Sequence, residues 1–197
     1  EAGFMPSETG IRYSLAALRN VGRHAVDHIC AEREKRGLFK DVSEFARAIN
    51  PRLVNKRALE MLAAAGAFDE LGIDRAAALA NVDRIMAAGN RSLADETGGQ
   101  NDLFAGAART PPPIELRAAK PWVPTDRLSH EFEAVGFFLT GHPLDDYHDV
   151  LEALGAESWA DFAAKARTRR VVGTLAGTVL ATRERQGDLR FLRADHP

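Results

Sequence analysis

The sequence predicts a mainly α protein. It should comprise a tandem helix-hairpin-helix domain, a flexible linker, further helices and the start of a small β barrel. Three observations carry this. Apolar residues recur at helical spacing through the first 88 positions, cut into short pieces by Gly and Pro. Periodicity then vanishes over residues 89–125, which hold Gly89, Gly98, Gly99, Gly106, the run Pro111-Pro112-Pro113, Pro121 and Pro124. After Arg170 the pattern turns to β, with glycines inside the run that suggest strong curvature. The domains predicted are therefore 1–88 (tandem hairpins), 89–125 (linker), 126–166 (helical) and 167–197 (an incomplete barrel).

Taken in order, Ile11, Leu15 and Leu18 fall at i, i+4 and i+7, one face of a first helix. A second helix, about His24–Arg36, buries Ala25, Ile29 and the stem of Arg33, and Gly37 ends it. Asp41 with Glu44 forms a capping-box start for a helix burying Val42, Phe45 and Ile49, which Asn50-Pro51 stops. A fourth helix, Lys56–Ala65, presents Leu59, Leu62 and Ala63 and is capped by Gly66. A fifth, Arg75–Ala88, aligns Leu79, Val82, Ile85 and Met86. Beyond the linker, Thr125 or Asp126 caps a helix carrying Leu128, Phe132 and Val135, running past Gly136 to Gly141-His142-Pro143. Tyr147, Val150, Leu151 and Leu154 line another face, and Ser158 opens a helix with Trp159, Phe162 and Ala163. Two strands follow, from Val171 to Leu180 and from Leu189 to Arg193, with a turn between them at Arg183–Asp188. Two strands alone make no stable sheet, so the chain is expected to stop inside a domain and to be a fragment.

The 197 residues carry a formal charge of −2, which excludes a uniformly basic nucleic-acid binder. The charge is uneven. Residues 11–60 hold eleven Lys/Arg against six Asp/Glu, and residues 61–108 hold three against seven. A basic block beside an acidic one points to a charged partner. No apolar run reaches the ~18 residues of a membrane span. The single cysteine, Cys30, argues for a reducing, cytoplasmic setting.

The basic block lies on two turns. In Leu18-Arg19-Asn20-Val21-Gly22-Arg23-His24, Gly22 puts no Cβ before the next helix, whose N–H groups and positive dipole end can hold a phosphate. Arg19, Arg23 and His24 add charge and donors. A plain αα-turn with a corner glycine is the competing reading. The second turn, Asn50 to Arg57, lacks the glycine and supplies Arg52, Asn55, Lys56 and Arg57. Cations at a helix start oppose the dipole, and a bound anion would offset that cost. Paired basic turns favour sequence-independent contact with a DNA backbone.

In the linker, Gln100-Asn101-Asp102-Leu103-Phe104 sets two large apolar residues between glycines. The pair either anchors a short peptide in a partner's pocket, with Gln100 bonding its rim, or folds back on this chain's helices. His130, His142 and His148 lack metal spacing, and no nucleophile motif or catalytic carboxylate pair is present, Asp145-Asp146 reading as a helix start. No catalytic and no metal-binding residue is assigned.

Together these stretches resemble the C-terminal region of the alpha subunits of bacterial replicative DNA polymerases of the C family (DNA polymerase III). Ile11–Leu15 through Val21-Gly22 resembles the family's approach to its first helix-hairpin-helix element, and Phe39–Val42 and Phe45 follow as they do there. Val54–Glu60, Ala65–Asp69 and Glu133–Leu144 are the other matching runs. The resemblance implies that the paired turns grip duplex DNA. It implies that Gln100–Phe104 is an internal binding peptide for the beta sliding clamp. It implies that the segment from Arg170 opens an OB domain, and that other holoenzyme subunits are partners. The polymerase's catalytic carboxylates and their Mg2+ would belong to a palm outside this chain, so no cofactor is expected in this segment. One departure is Asn20, where the family usually has Gly; Asn tolerates left-handed backbone angles, so the turn can survive. The implied function is duplex and clamp binding in support of processive DNA synthesis during replication. Alternatives are an error-prone paralogue of the same polymerase in damage tolerance, or a helix-hairpin-helix repair scaffold without polymerase activity.

Overall fold

A computed structural model describes residues 3–8, 10–97, 112–184 and 190–195. The chain divides into two units, Glu1–Phe138 and Leu139–Pro197. The mainly α expectation holds, but several boundaries move.

The first concerns Ile11. Met5–Ser7 (β1) and Gly10–Arg12 (β2) pair as an antiparallel hairpin with Met5 opposite Arg12, so Ile11 lies on a strand and is exposed. Only a single 3-10 turn, Leu15–Ala17, precedes the buried Leu18. Strand pairing consumes the backbone groups that a helix through Ile11 would need. Tyr13 anchors the segment instead, its ring meeting Phe4 at 5.1 Å and Phe137 at 5.7 Å edge-on.

Helix α1, Arg23–Arg36, buries Ala25, Val26 and Ile29 and ends at Gly37. Glu32 is buried on the same face, while Arg33 is half-buried. α2, Val42–Ala48, opens as predicted: Asp41 accepts from the Glu44 N–H at 2.8 Å, and the Glu44 carboxylate accepts from the Lys40 N–H at 2.8 Å. α3, Lys56–Ala64, is the centre of the core, with Leu59 and Leu62 fully buried. Phe45 links Phe39 and Phe68 by edge-on contacts of 5.5 and 5.0 Å.

The second change breaks the predicted fifth helix at Asn81, into α4 (Arg75–Ala80) and α5 (Val82–Thr97). Asn81 is fully buried. Its amide donates to the Ala77 and Arg117 carbonyls at 2.8 and 2.9 Å, and its Oδ1 accepts from the Arg117 N–H at 2.8 Å. The ladder lapses beside it, where the Arg84 N–H turns to the Asn81 carbonyl at 2.9 Å in a tighter bond.

The third change is in the predicted linker. α5 runs through Gly89 to Thr97, and Gly89 is required there by close approach: a Cβ would meet the Pro51 ring at 2.9 Å and the Ala46 carbonyl at 3.0 Å. Residues 112–123 form neither helix nor strand but are fastened to the helices. Ser43 Oγ accepts from the Ile114 N–H at 2.9 Å, Arg47 donates to the Pro112 carbonyl at 3.1 Å, and Arg84 donates to the Glu115 carbonyl at 2.7 Å.

The fourth change is at α6, Pro124–Val135. It starts before the predicted Thr125 or Asp126 because Pro is pre-set for the first helical position. It ends at Gly136, whose φ of 97° closes the helix in the left-handed region. α6 packs on α3 within the first unit, so the predicted 126–166 segment is divided.

In the second unit, α7 (His148–Ala153) forms where a helix face was predicted, and Tyr147, Val150 and Leu154 of that face are exposed. α8, Trp159–Thr168, is capped as predicted by Ser158, which accepts from the Asp161 N–H at 3.1 Å. The first strand is displaced: it starts at Thr178 instead of Val171 and takes in Arg183 and Glu184 of the predicted turn. β3 (Thr178–Glu184) pairs antiparallel with β4 (Arg190–Asp195), whereas the stretch before it makes one isolated bridge, Thr174 with Ala156. Among the described residues, no helix is long and apolar enough to cross a membrane.

Candidate nucleic-acid interface

The first predicted turn is built on buried Leu18 and Val21, the Val21 N–H closing it onto the Leu18 carbonyl at 3.2 Å. Among the described residues, Asn20 is the one non-glycine with positive φ, at 60°. Gly22 sits at φ −68°, ψ 146°, angles open to any residue, and nothing lies within 4 Å of where its Cβ would be. The left-handed angle of this turn thus falls on Asn20. Gly22 contributes open space before α1, whose start has no side-chain cap. Arg23 and His24 are exposed beside it, with Arg23 3.7 Å from Asp27 one turn on.

Arg19 faces a different neighbour. Its N–H donates to the Ala134 carbonyl of α6 at 2.8 Å, and its guanidinium lies 5.8 Å from the centre of the Phe132 ring. The structure therefore brings Arg19 onto α6, with its side chain still exposed.

At the second turn, Asn50 Oδ1 accepts from the Arg52 N–H at 2.9 Å, an Asx turn that leaves the Arg52 side chain exposed. Asn55 is the cap of α3, accepting from the Ala58 N–H at 2.9 Å, so its amide oxygen serves the helix. Lys56 and Arg57 are exposed yet partnered. Lys56 Nζ is 2.7 Å from Asp83 on α5, and Arg57 is 3.1 Å from Glu60 and 2.7 Å from Glu133 on α6. The hydrogen bond to Asp83 raises the Lys56 ammonium above its ordinary value, and those to Glu133 and then Glu60 do the same for Arg57. The local charge that sequence reasoning offered to an external anion is thus met in part by the chain's own carboxylates.

Sequence reasoning missed three partners of these turns. His28 Nε2 accepts from the Asn50 N–H at 2.8 Å, tying α1 to the second turn. Asp83 and Glu133 reach in from helices that no local pattern connects to α3. Arg75 joins the α3–α4 corner to α6: it grips Asp69 through Nε and Nη2 at 2.8–3.1 Å and reaches the buried Glu131 at 3.3 Å. Burial pushes the Arg75 guanidinium down, and the Asp69 and Glu131 carboxylates outweigh it, leaving it above its ordinary value. Gly66, at φ 82°, passes directly under this guanidinium, where any Cβ would collide. A glutamate on the helix face that Leu128 and Val135 mark was the one available signal for Glu131. The predicted peptide Gln100, Asn101, Asp102, Leu103 and Phe104 lies outside the described residues.

Residues 1–78 match the helix-hairpin-helix motif family, in keeping with the two turns and their helices. The more particular likeness covers most of the chain. It is 39% identical over 187 residues to DNA polymerase III subunit alpha of Caulobacter vibrioides, a match that takes in 93% of this chain and 16% of the relative. The corresponding protein of Vibrio cholerae is 37% identical over 88% of this chain and 15% of its own length. That of Borreliella burgdorferi is 32% identical over 82% of this chain and 14% of its own length. The chain is related to one segment of the DNA polymerase III alpha subunits and spans about a sixth of the length of these relatives.

Proposed function

We propose that the chain is the duplex-DNA-binding and sliding-clamp-binding region of a replicative DNA polymerase III alpha subunit. The observation that carries the DNA part is the pair of basic turns at the starts of α1 and α3, with Arg23, His24 and Arg52 exposed. The open, uncapped start of α1 offers N–H donors to a phosphate, and the turns' side chains add sequence-independent charge. The clamp part is carried by Gln100, Leu103 and Phe104 in sequence, a polar rim group followed by two apolar anchors. The DNA polymerase III resemblance supports both.

The two contacts work jointly. Backbone contact with duplex is weak and falls steeply with salt. A short peptide binds modestly because ordering it costs entropy. Held in one chain around one DNA, each raises the other's effective concentration and keeps an attached polymerase active site on its template. This segment holds no catalytic residue in that scheme; nucleotidyl transfer and its Mg2+ belong to the rest of the subunit, working in the cytoplasm with its holoenzyme partners.

Leu103→Ala combined with Phe104→Ala separates the two contacts. In a titration with purified beta sliding clamp, binding should be lost, while duplex affinity stays within twofold of the unmodified chain. Unchanged clamp affinity would sink the peptide assignment.

A further inference from the structure

Two of the three cations that the second turn would offer to a duplex, Lys56 and Arg57, already hold carboxylates. Lys56 is 2.7 Å from Asp83, and Arg57 is 2.7 Å from Glu133 and 3.1 Å from Glu60. Together with His130 these groups rim a hollow of about 310 Å³. Glu60 is explained by position, three residues after Arg57 on the same helix. Asp83 and Glu133 are not: they come from α5 and α6 and converge on adjacent residues of α3. A carboxylate held by Lys or Arg presents paired anionic oxygens at hydrogen-bond distance, as a phosphodiester does.

We propose that Asp83 and Glu133 are internal stand-ins for backbone phosphate, holding Lys56 and Arg57 in the free chain until a duplex displaces them. The inference rests on the duplex-binding reading above. Isolated anions gain little by displacing a tethered carboxylate, whose effective concentration is high. A phosphate backbone already engaged at the first turn competes on equal terms. The stand-ins thus favour ligands long enough to reach both turns.

The test is equilibrium binding of an arbitrary-sequence DNA duplex to the 197-residue chain across a salt series. Glu133→Gln and Asp83→Asn should each tighten binding about two- to fivefold and steepen the dependence of log K on log salt. Asp126→Asn removes the same charge two turns earlier on α6 and should give a smaller gain. In an Arg57→Ala background, Glu133→Gln should give no more than the Asp126→Asn gain. A gain that persists at full size without Arg57, or one that Asp126→Asn matches, overturns the proposal and leaves only net charge. If the unmodified chain binds duplex and neither variant tightens it, the stand-in role fails alone. If it binds no duplex at any salt, the duplex-binding reading fails and the stand-in role falls with it.

Discussion

The turns before α1 and α3 start from one motif and end in opposite states. The first is open: no side chain caps α1, Gly22 leaves empty space before it, and the nearest acid to Arg23 stands off at 3.7 Å. The second is closed: Asn55 caps α3, and Lys56 and Arg57 are each paired at 2.7 Å with acids from other helices. Both must satisfy unpaired N–H groups and a positive dipole end. One does so with its own side chains and the other leaves the position for something external. A shared motif therefore does not imply equal contributions to binding, and the open turn is the expected primary anion site.

The largest expected effect comes from loosening α6, which supplies Glu133 to the closed turn and the Ala134 carbonyl to Arg19. Arg75→Ala removes the guanidinium that holds Glu131, a residue with no exposed surface. Cutting one partner from a buried pair costs about 3–5 kcal/mol. Urea denaturation should show a loss of that order. A loss under about 1 kcal/mol would mean that the apolar contacts of α6 hold it in place without the ion pair.

Next comes a substitution that sets helix capping against phosphate binding. Gly22 has cap-compatible angles and free space, so Gly22→Asp should cap α1 and leave stability unchanged or higher by a few tenths of a kcal/mol. The same carboxylate occupies the anion position and should weaken duplex binding by about 1 kcal/mol, roughly fivefold. Asn55→Ala provides the contrast at the closed turn: about 1 kcal/mol of stability lost with the cap, and little change in duplex affinity. Equal binding losses at the two positions would erase the distinction between open and closed turns.

The parts legible in sequence are those whose determinants are local. Asp41 with Glu44 and Ser158 before α8 start helices as their spacing implies, because cap and acceptor lie within three residues. Both basic turns also stand where composition put them. The failures depend on distant partners. The fifth helix breaks at Asn81, whose buried amide bonds Arg117, thirty-six residues away. Gly89 reads as linker yet sits inside α5, because Pro51 and the Ala46 carbonyl press on it. The site residues divide likewise. Arg23, His24 and Arg52 are exposed at turns, but Arg19 is drawn to α6, Asn55 is a cap, and Lys56 and Arg57 meet acids that no spacing rule connects to them. Which residues are basic was readable from sequence, but which of those charges are already answered was not.

The smallest expected effect is at the far end of α1, where a carboxylate is buried instead of exposed. Glu32 accepts from Lys35 Nζ at 2.8 Å and from Arg36 Nε at 2.9 Å. The Lys35 hydrogen bond lowers its pKa most, burial opposes that, and Arg36 lowers it further, for a net value below the ordinary 4.5. A carboxylate lowered by folding stabilises fully above its unfolded value and loses that contribution as pH falls through the folded one. Both cationic partners are largely exposed, so solvent screening limits the effect to at most about 1 kcal/mol. Urea midpoints measured from neutral pH downward should fall below pH 4.5 in the unmodified chain, and Glu32→Gln should remove part of that fall. If the two chains lose stability in parallel, the acid sensitivity comes from other carboxylates, and the Glu32 pair contributes nothing to it.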